Sequence, residues 1–222
     1  MNKFKGVFTA LLTPFDKSDK INEKELEKLV KFNVEKGVTG FYVGGSTAEA
    51  FLLSSDERKL VYDIVKSAAP DKTLIAHVGS ISEKEATELA IHARKLSYDA
   101  VSSVAPFYFK FTFEEIKNYY LRVAQNAELP MIVYNFPNFS GVNLGIKDFE
   151  SLLCNDNFIG VKHTSSDYFL MEQLKASFPG KLVYNGFDEM FLAGLSMGAD
   201  GGIGSTYNFM ADKFVKMRKR KI

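Results

Sequence analysis

A lysine stands inside a run of apolar residues, where a charged side chain is costly to bury. Lys162 lies in the segment FIGVKHT at 158–164, whose composition is typical of a buried strand. Burial disfavours the charged form of an amine, so we expect the pKa of Lys162 to fall and its neutral amine to attack carbonyl carbon. Side chains alternate along a strand, which predicts Lys162 and Thr164 on one face and His163 on the other. The strand context leaves equally open a lysine whose ammonium group reaches water.

Polar side chains also follow other apolar runs. Tyr134 ends the run MIVY at 131–134, where a phenol can relay protons beside a lysine, although a tyrosine that caps the core is the commoner explanation. Ser46 and Thr47, in GGSTAE at 44–49, can donate to a carboxylate or can form an ordinary turn and helix cap. Asp188 and Glu189, in NGFDE at 185–189, can accept hydrogen bonds from sugar hydroxyls or can simply stabilise a helix N-terminus.

Composition excludes several classes of function. Twenty-eight basic residues against 27 acidic ones give a net charge of +1, so no overall field recruits nucleic acid or an anionic membrane. The three histidines stand singly without metal-ligand spacing, and we assign no metal. Cys154 is the only cysteine, which excludes an intrachain disulfide. With no apolar run of membrane-spanning or signal-peptide length, we expect a cytoplasmic protein.

The elements that position these residues alternate regularly along the chain. Short apolar runs precede segments with helical spacing. Among these helices are 22–35, where Asn22 and Glu25 resemble a capping box, 55–68, with Ser54 or Ser55 as its cap, and 189–197. Strict alternation of strand and helix predicts a parallel sheet. The strands are predicted at 6–12, 40–43, 74–78, 100–104, 131–134, 159–163, 182–185 and 201–203. Eight such units, without a glycine-rich dinucleotide fingerprint or a phosphate-binding loop, favour a closed (β/α)8 TIM barrel over an open sheet. We expect one barrel domain over residues 1–222 with an incomplete last helix.

In such barrels the chemistry sits at the carboxyl ends of the strands. The candidate residues follow the second, fifth, sixth and seventh strands, so the fold is expected to bring them to one end of the barrel. There a neutral lysine would be a nucleophile for carbonyl compounds, beside hydroxyls that can donate to a carboxylate.

Six segments, in order, resemble one superfamily, that of N-acetylneuraminate lyase and dihydrodipicolinate synthase. The resemblance covers about Gly6 to Asn208 and is carried by GGSTAE at 44–49, APFYF at 105–109, YNFPNFSG at 134–141, GVKHTSSD at 160–167, NGFDE at 185–189 and GGIGSTYN at 201–208. Ser46-Thr47, the stretch 138–140 and His163 stand where the synthase branch usually has a Thr-Thr pair, an arginine and a glutamate. The chain therefore looks like the sialic acid lyase branch.

The resemblance implies a role for each candidate residue. Lys162 forms a Schiff base with the keto carbon, and Tyr134 shuttles a proton as the carbon–carbon bond of the sugar acid breaks. Tyr108 matches a tyrosine that serves a neighbouring subunit's site, which implies a homotetramer. The substrate-binding residues implied are Ser46, Thr47, Thr164, Gly186, Asp188, Glu189 and Ser205. The implied reaction cleaves N-acetylneuraminate to N-acetylmannosamine and pyruvate, and it needs no metal or organic cofactor.

Two departures from the superfamily pattern bear on these expectations. Ala48 stands where the superfamily usually has glycine, so a positive φ at that position would strain it. Relatives continue with further C-terminal helices, so this chain is expected to have a truncated C-terminal helical part and exposed apolar barrel surface. Two alternatives stay open: another pyruvate-dependent aldolase or synthase, and an inactive homologue that only binds a ligand or partner subunits.

Overall fold

Eight parallel strands close into a barrel, which confirms the predicted fold class. The structure is a computed structural model that describes residues 2–220; the ends of the predicted domain, Met1, Lys221 and Ile222, lie outside the described residues. Each strand pairs with the next along the chain, and the eighth pairs with the first. The strands are β1 Val7–Ala10, β2 Gly40–Val43, β3 Thr73–His77, β4 Ala100–Val104, β5 Met131–Asn135, β6 Phe158–His163, β7 Leu182–Asn185 and β8 Gly201–Gly204.

Helices surround the barrel and follow the strands in the predicted order. They are α1 Glu23–Glu35, α2 Ser55–Ala68, α3 Glu83–Lys95, α4 Phe113–Ala127, α5 Pro137–Ser140, α6 Ile146–Leu153, α7 Tyr168–Ser177, α8 Phe191–Ser196 and α9 Tyr207–Lys219. The predicted cap of α1 is present, since the Asn22 side chain accepts a hydrogen bond from the backbone N–H of Glu25. Ser54 caps α2 in a complete capping box with Glu57.

Two predicted elements differ from the structure by more than one residue at a boundary, and the short helix α5 was not predicted. The first strand is shorter than 6–12, because Leu11 and Leu12 already lie in the loop that leaves the barrel. The segment predicted as one helix at 189–197 begins with a tighter 3-10 turn, Asp188–Met190, before α8. The carboxylate of Asp188 accepts hydrogen bonds from both the backbone N–H and the hydroxyl of Thr206, which fixes this turn against the loop after β8.

The apolar core has two layers, one inside the barrel and one between the strands and the helices. Continuous apolar strands such as Met131-Ile132-Val133 are buried on both faces because they separate these layers. The inner layer contains Phe4, Phe8, Ala10, Tyr42, Ile75, Ala100, Val104, Ile132, Tyr134, Leu182, Tyr184 and Ile203. The barrel is therefore packed along much of its length, and open space for chemistry lies at its carboxyl end.

A buried asparagine network joins the loops where the barrel closes between β1 and β8. Asn208, which is 2% exposed, donates to the carbonyls of Ala10 at 2.7 Å and Ser205 at 2.8 Å. Its amide oxygen accepts a hydrogen bond from the backbone N–H of Leu12. Asn33 of α1 donates to the carbonyl of Asn208 and accepts from the hydroxyl of Thr9. These bonds satisfy backbone groups that would otherwise be buried without a partner.

Between residues 2 and 220, no helix combines the length and the apolar character needed to cross a membrane.

The Asn208 network yields a prediction about stability. Asn208→Ala is expected to lower the free energy of unfolding by about 2–3 kcal/mol, because it leaves buried backbone groups without partners. Urea unfolding followed by circular dichroism measures this difference. The matched control is Asn126→Ala on the exposed face of α4, which is expected to change stability by less than about 0.5 kcal/mol. Equal unfolding midpoints for the two variants would contradict the assigned role of Asn208.

Candidate active site

Lys162 lies inside the barrel, at the carboxyl end of β6. Its side chain is 4% exposed and stands in register with Tyr134 of β5 and Tyr184 of β7. Thr164 is near the Tyr134 phenol, whereas His163 lies on the opposite face, where it contacts Asn135 and the carbonyl of Asp167. The alternation predicted from the sequence therefore holds, and the alternative of a lysine that reaches water is wrong.

Burial changes the acid–base character of Lys162. Loss of hydration disfavours the ammonium form and lowers the pKa of Lys162 from 10.5 to about 7. The negative charge of Asp188 acts in the opposite direction but is the weaker influence. At neutral pH a large fraction of this side chain is therefore an uncharged amine with a lone pair available for attack on a carbonyl carbon.

Two tyrosine rings enclose the amine. The Nζ atom of Lys162 lies 3.9 Å from the ring centroid of Tyr134 and 4.1 Å from that of Tyr42. Burial raises the pKa of Tyr134, while the nearby hydroxyls of Ser46 and Thr164 lower it, and the net effect is a rise. Tyr134 is thus a protonated phenol beside the amine, with hydroxyl groups next to it. That arrangement suits the transfer of a proton between a bound substrate and the protein.

The loop after β2 carries the predicted carboxylate-binding residues. Gly44 adopts a positive φ of 72°, which glycine tolerates, and its carbonyl accepts a hydrogen bond from Nδ1 of His77 at 2.9 Å. The hydroxyl of Thr47 lies 2.6 Å from that of Ser205, which follows β8. Ser46 and Thr47 therefore stand at the same end of the barrel as Lys162.

The strain anticipated at Ala48 is absent. Ala48 belongs to a 3-10 turn, Ser46–Ala48, and the positive φ of this loop, 56°, falls on Glu49 instead. The residue that replaces glycine is therefore buried in an ordinary helical conformation, and the left-handed conformation is taken by an exposed side chain.

The loops after β7 and β8 close the other side of the site. Gly186 leaves space for Thr164, because a Cβ atom at position 186 would lie 1.9 Å from the Thr164 hydroxyl oxygen. Asp188 uses one carboxylate oxygen to bind Thr206, while its other oxygen is buried and has no hydrogen-bond partner among residues 2–220. The Thr164 hydroxyl is likewise buried; it lies near the Tyr134 phenol but makes no hydrogen bond of good geometry in that part of the chain. Glu189 is exposed at the rim.

Tyr108 lies apart from the other candidates. Its side chain is 84% exposed, and its backbone has a φ of 76°, which is unusual for an aromatic residue. It belongs to the loop after β4, beside the exposed ring of Phe109. Within one chain, the structure does not bring Tyr108 to Lys162.

The fold thus brings together nine of the ten predicted residues at one end of the barrel: Lys162, Tyr134, Ser46, Thr47, Thr164, Gly186, Asp188, Glu189 and Ser205. The sequence interpretation missed three contributors: Tyr42 against the amine, His77 behind the β2 loop and Thr206 on Asp188. A count of the inward-facing positions of every strand would have selected Tyr42, because alternate residues of a barrel strand face the interior.

Comparison with known proteins agrees with this geometry. The chain matches the Dihydrodipicolinate synthetase family over residues 3–221. N-acetylneuraminate lyase of Haemophilus influenzae is 48% identical over 210 residues, which cover 94% of this chain and 72% of that protein. N-acetylneuraminate lyase of Fusobacterium nucleatum complexed with pyruvate has a TM-score of 0.93 and 41% identity, covering 100% of this chain and 76% of that one.

A second solved structure bears on the lysine. A catalytic lysine mutant of Ruminococcus gnavus sialic acid aldolase has a TM-score of 0.96 and 34% identity, covering 99% of this chain and 73% of that chain. The barrel and its buried amine define a class of enzyme, the lyases that act through a lysine nucleophile at the end of a (β/α)8 barrel. Within that class, this chain belongs to the Dihydrodipicolinate synthetase family, which confirms the resemblance seen in the sequence.

The buried amine predicts a stability cost that depends on pH. Below about pH 7 the folded protein must bury an ammonium group, so Lys162→Met is expected to raise the free energy of unfolding, by about 5 kcal/mol at most. Between about pH 7 and 10.5 the unfolded chain binds a proton that the folded protein does not, so the wild type gains stability as the pH rises. The advantage of the variant therefore shrinks across this window.

Urea unfolding at a series of pH values measures this advantage. The exposed Lys147→Met variant is the matched control and is expected to show no such dependence on pH. A constant difference between wild type and Lys162→Met from pH 6 to 10 would show that Lys162 titrates as a solvated lysine.

Proposed function

We propose that this protein cleaves N-acetylneuraminate to N-acetylmannosamine and pyruvate through a Schiff base on Lys162. The observation that carries the proposal is the buried amine, whose pKa of about 7 leaves it nucleophilic at neutral pH. The names of the relatives, N-acetylneuraminate lyase and sialic acid aldolase, support this substrate.

The loop after β2 is suited to the carboxylate of pyruvate or of the sugar acid. The hydroxyls of Ser46 and Thr47 and the backbone N–H groups of this glycine-rich turn offer hydrogen-bond donors without a formal charge. Ser46 also lies near the Tyr134 phenol, so a carboxylate on this loop stands beside both the amine and the proton carrier. The keto carbon next to the carboxylate then faces Lys162.

Cleavage begins with imine formation on the open-chain sugar acid. The neutral amine of Lys162 adds to the C2 carbonyl, the resulting carbinolamine takes up a proton and loses water, and a protonated imine remains. Tyr134 accepts the proton of the C4 hydroxyl as its own phenolic proton passes through the neighbouring Ser46 hydroxyl to the carboxylate of the substrate. The C3–C4 bond breaks, its electron pair moves to the imine nitrogen, and N-acetylmannosamine leaves as the aldehyde.

The second half of the cycle returns the enzyme to its initial state. The remaining enamine takes a proton at C3, for which the protonated phenol of Tyr134 is the nearest donor in the site. This step gives the protonated imine of pyruvate. Tyr134 regains its proton from the carboxyl group through the same hydroxyl. Addition of water to the C2 carbon then releases pyruvate, the neutral amine of Lys162 and the proton that was taken up when the imine formed, so atoms and charge balance over the cycle.

Two unpartnered acceptors support a polyhydroxylated substrate. One oxygen of Asp188 and the hydroxyl of Thr164 are buried without a hydrogen-bond partner within residues 2–220, and such groups are costly unless a ligand satisfies them. We assign them, with Gly186, Glu189 and Ser205, to the polyol chain and the N-acetyl end of the sugar. An aldehyde partner without hydroxyl groups would leave these groups unsatisfied, which disfavours a pyruvate-dependent aldolase acting on such a partner.

The exposed position of Tyr108 supports an assembled enzyme. We propose a homotetramer in which Tyr108 completes a site of a neighbouring subunit. Its backbone is strained, its ring is 84% exposed, and among residues 2–220 the aromatic ring packed against it is the exposed ring of Phe109. We also propose a cytoplasmic location, which the exposed free thiol of Cys154 supports, since such a thiol persists in a reducing compartment.

Trapping with borohydride tests the proposed function. The protein is incubated with pyruvate, reduced and mapped by peptide mass, and a reduced pyruvyl adduct is expected on Lys162. The initial trapping rate is expected to rise up to about pH 7 and then to level, because the neutral amine is the attacking form. Lys162→Met is expected to give no adduct, whereas Lys147→Met gives the wild-type yield.

The outcomes separate the alternatives. No adduct from a protein shown to be folded would sink the imine mechanism and favour an inactive homologue. An adduct without cleavage of N-acetylneuraminate, but with turnover of another 2-oxo acid in a substrate panel, would favour a different aldolase.

Mixed oligomers test the role of Tyr108. Tyr108→Ala and Lys162→Met are each expected to lose most activity on their own. Mixing them under conditions that exchange subunits is expected to restore activity, because some sites then receive Lys162 from one subunit and Tyr108 from the other. Tyr108→Ala mixed with itself is the control. Full activity of Tyr108→Ala alone, or no recovery in oligomers shown to be mixed, would contradict a role across subunits.

A further inference from the structure

Tyr42 makes a contact with the reacting atom that the proposed mechanism does not use. The ring of Tyr42 lies 4.1 Å from Nζ of Lys162, and the ring of Tyr134 lies 3.9 Å from the same atom. The two rings meet edge to face with their centroids 6.0 Å apart. The amine is therefore bordered by two aromatic faces from strands β2 and β5.

The hydroxyl of Tyr42 is already hydrogen-bonded inside the barrel. It donates to Ser102 at 3.0 Å, and Ser102 donates to the carbonyl of Ile132 at 2.9 Å. Tyr42 is 0% exposed, and burial, together with nearby Tyr134, raises its pKa well above the ordinary value. A phenol held in this way is not a proton carrier, and what it offers to Lys162 is the face of its ring.

Backbone packing keeps that ring in place. A Cβ atom at Gly45 would lie 2.7 Å from a carbon of the Tyr42 ring, so the carboxylate-binding loop passes directly over it. His77 packs on another side, with ring centroids 5.8 Å apart. Its Nδ1 donates to the Gly44 carbonyl and its Nε2 accepts from the Val104 N–H, which is the pattern of a neutral imidazole.

The charged groups around the amine leave room for an aromatic ring to stabilise a positive charge at Nζ. Asp188 is the carboxylate that acts on Lys162. Burial, together with the positive charge of Arg58, lowers the pKa of His77 well below its ordinary value. Tyr134 and Tyr42 are both protonated phenols. A positive charge that forms at Nζ in this dry interior is stabilised by the negative face of an aromatic ring.

We propose that Tyr42 is a catalytic residue that stabilises the protonated imine through the face of its ring. The inference rests on the proposed function, because the imine is its intermediate. When the Lys162 amine adds to the keto carbon and water leaves, the nitrogen retains one proton and the positive charge. The ring attracts that charge and attracts the neutral amine only weakly, so it favours imine formation as well as the ammonium form of the free lysine.

A graded series of ring substitutions tests the proposal. Tyr42→Phe keeps the ring and removes the bond to Ser102. Phenylalanines carrying one, two and three fluorine atoms, introduced at position 42, then weaken the negative face of the ring in steps with little change of shape. The pKa of Lys162 is measured by NMR of protein labelled at the lysine side chains, and the adduct with pyruvate is measured by borohydride trapping.

Each added fluorine is expected to lower the pKa of Lys162 further below about 7. At a pH above that value, where the free lysine is already neutral, each added fluorine is also expected to reduce formation of the protonated imine. Across the series the fall in imine formation is expected to be about tenfold. The same substitutions at Phe8 are the matched control. That ring is buried in the inner layer against Tyr184, away from Nζ, and its fluorination is expected to change neither quantity.

The outcomes are distinguishable from failure of the proposed function. A Lys162 pKa and an imine yield that do not follow fluorination at position 42 would overturn the proposal. Equal trends at positions 42 and 8 would overturn it as well. If the wild type forms no adduct, the proposed function fails and the catalytic role of Tyr42 fails with it, while a trend in the Lys162 pKa would still establish the contact of the ring with the ammonium form.

Discussion

The desolvation of one amine is the constraint on which the rest of this molecule depends. An exposed lysine at pH 7 is almost entirely charged and unreactive, and only removal from water makes Lys162 a nucleophile. In this chain the closed ring of strands provides that removal, because its packed interior surrounds the amine. The barrel therefore does more than position side chains: its packed interior supplies the low polarity that sets the chemistry. The hydrogen bonds of buried polar residues around it, such as Asn208 and His77, hold the surrounding loops in place and keep this interior closed.

The same dryness explains which neighbours surround the amine. A carboxylate in contact with Lys162 would keep it protonated, and Asp188 is instead held by Thr206 and acts only weakly on it. Aromatic rings and hydroxyls line the immediate surroundings. They tolerate a neutral amine and still favour the positive charge that imine formation creates. A nucleophile that alternates between neutral and charged forms is best served by neighbours without formal charge, and the composition of this site agrees with that requirement.

Much of the fold was predictable because its signals are local. Apolar runs bounded by turn residues gave strand limits that match to within a few residues, and Asn22 and Ser54 marked helix starts that the structure contains. Lys162 was recognisable because a lysine in a buried strand is costly. Tyr42 was not, since its contact joins β2 to β6 across the barrel, and no spacing along the chain records that distance. A positive φ would have strained Ala48, but it falls on Glu49, since no pattern in the sequence of a short turn records which residue adopts it.

The hydrogen bond between Thr47 and Ser205 has a consequence for selectivity among small carbonyl compounds. One of these hydroxyls donates to the other, so the donating hydroxyl must give up this bond before it can donate to a ligand. An uncharged ketone or aldehyde gains one neutral hydrogen bond and loses another, which leaves little net benefit. A carboxylate gains stronger, charge-assisted bonds and more than replaces the one lost. On the proposed role of this loop, the Thr47–Ser205 hydrogen bond therefore favours binding of carbonyl compounds that carry a carboxylate over binding of simple aldehydes. This selection operates before any imine has formed.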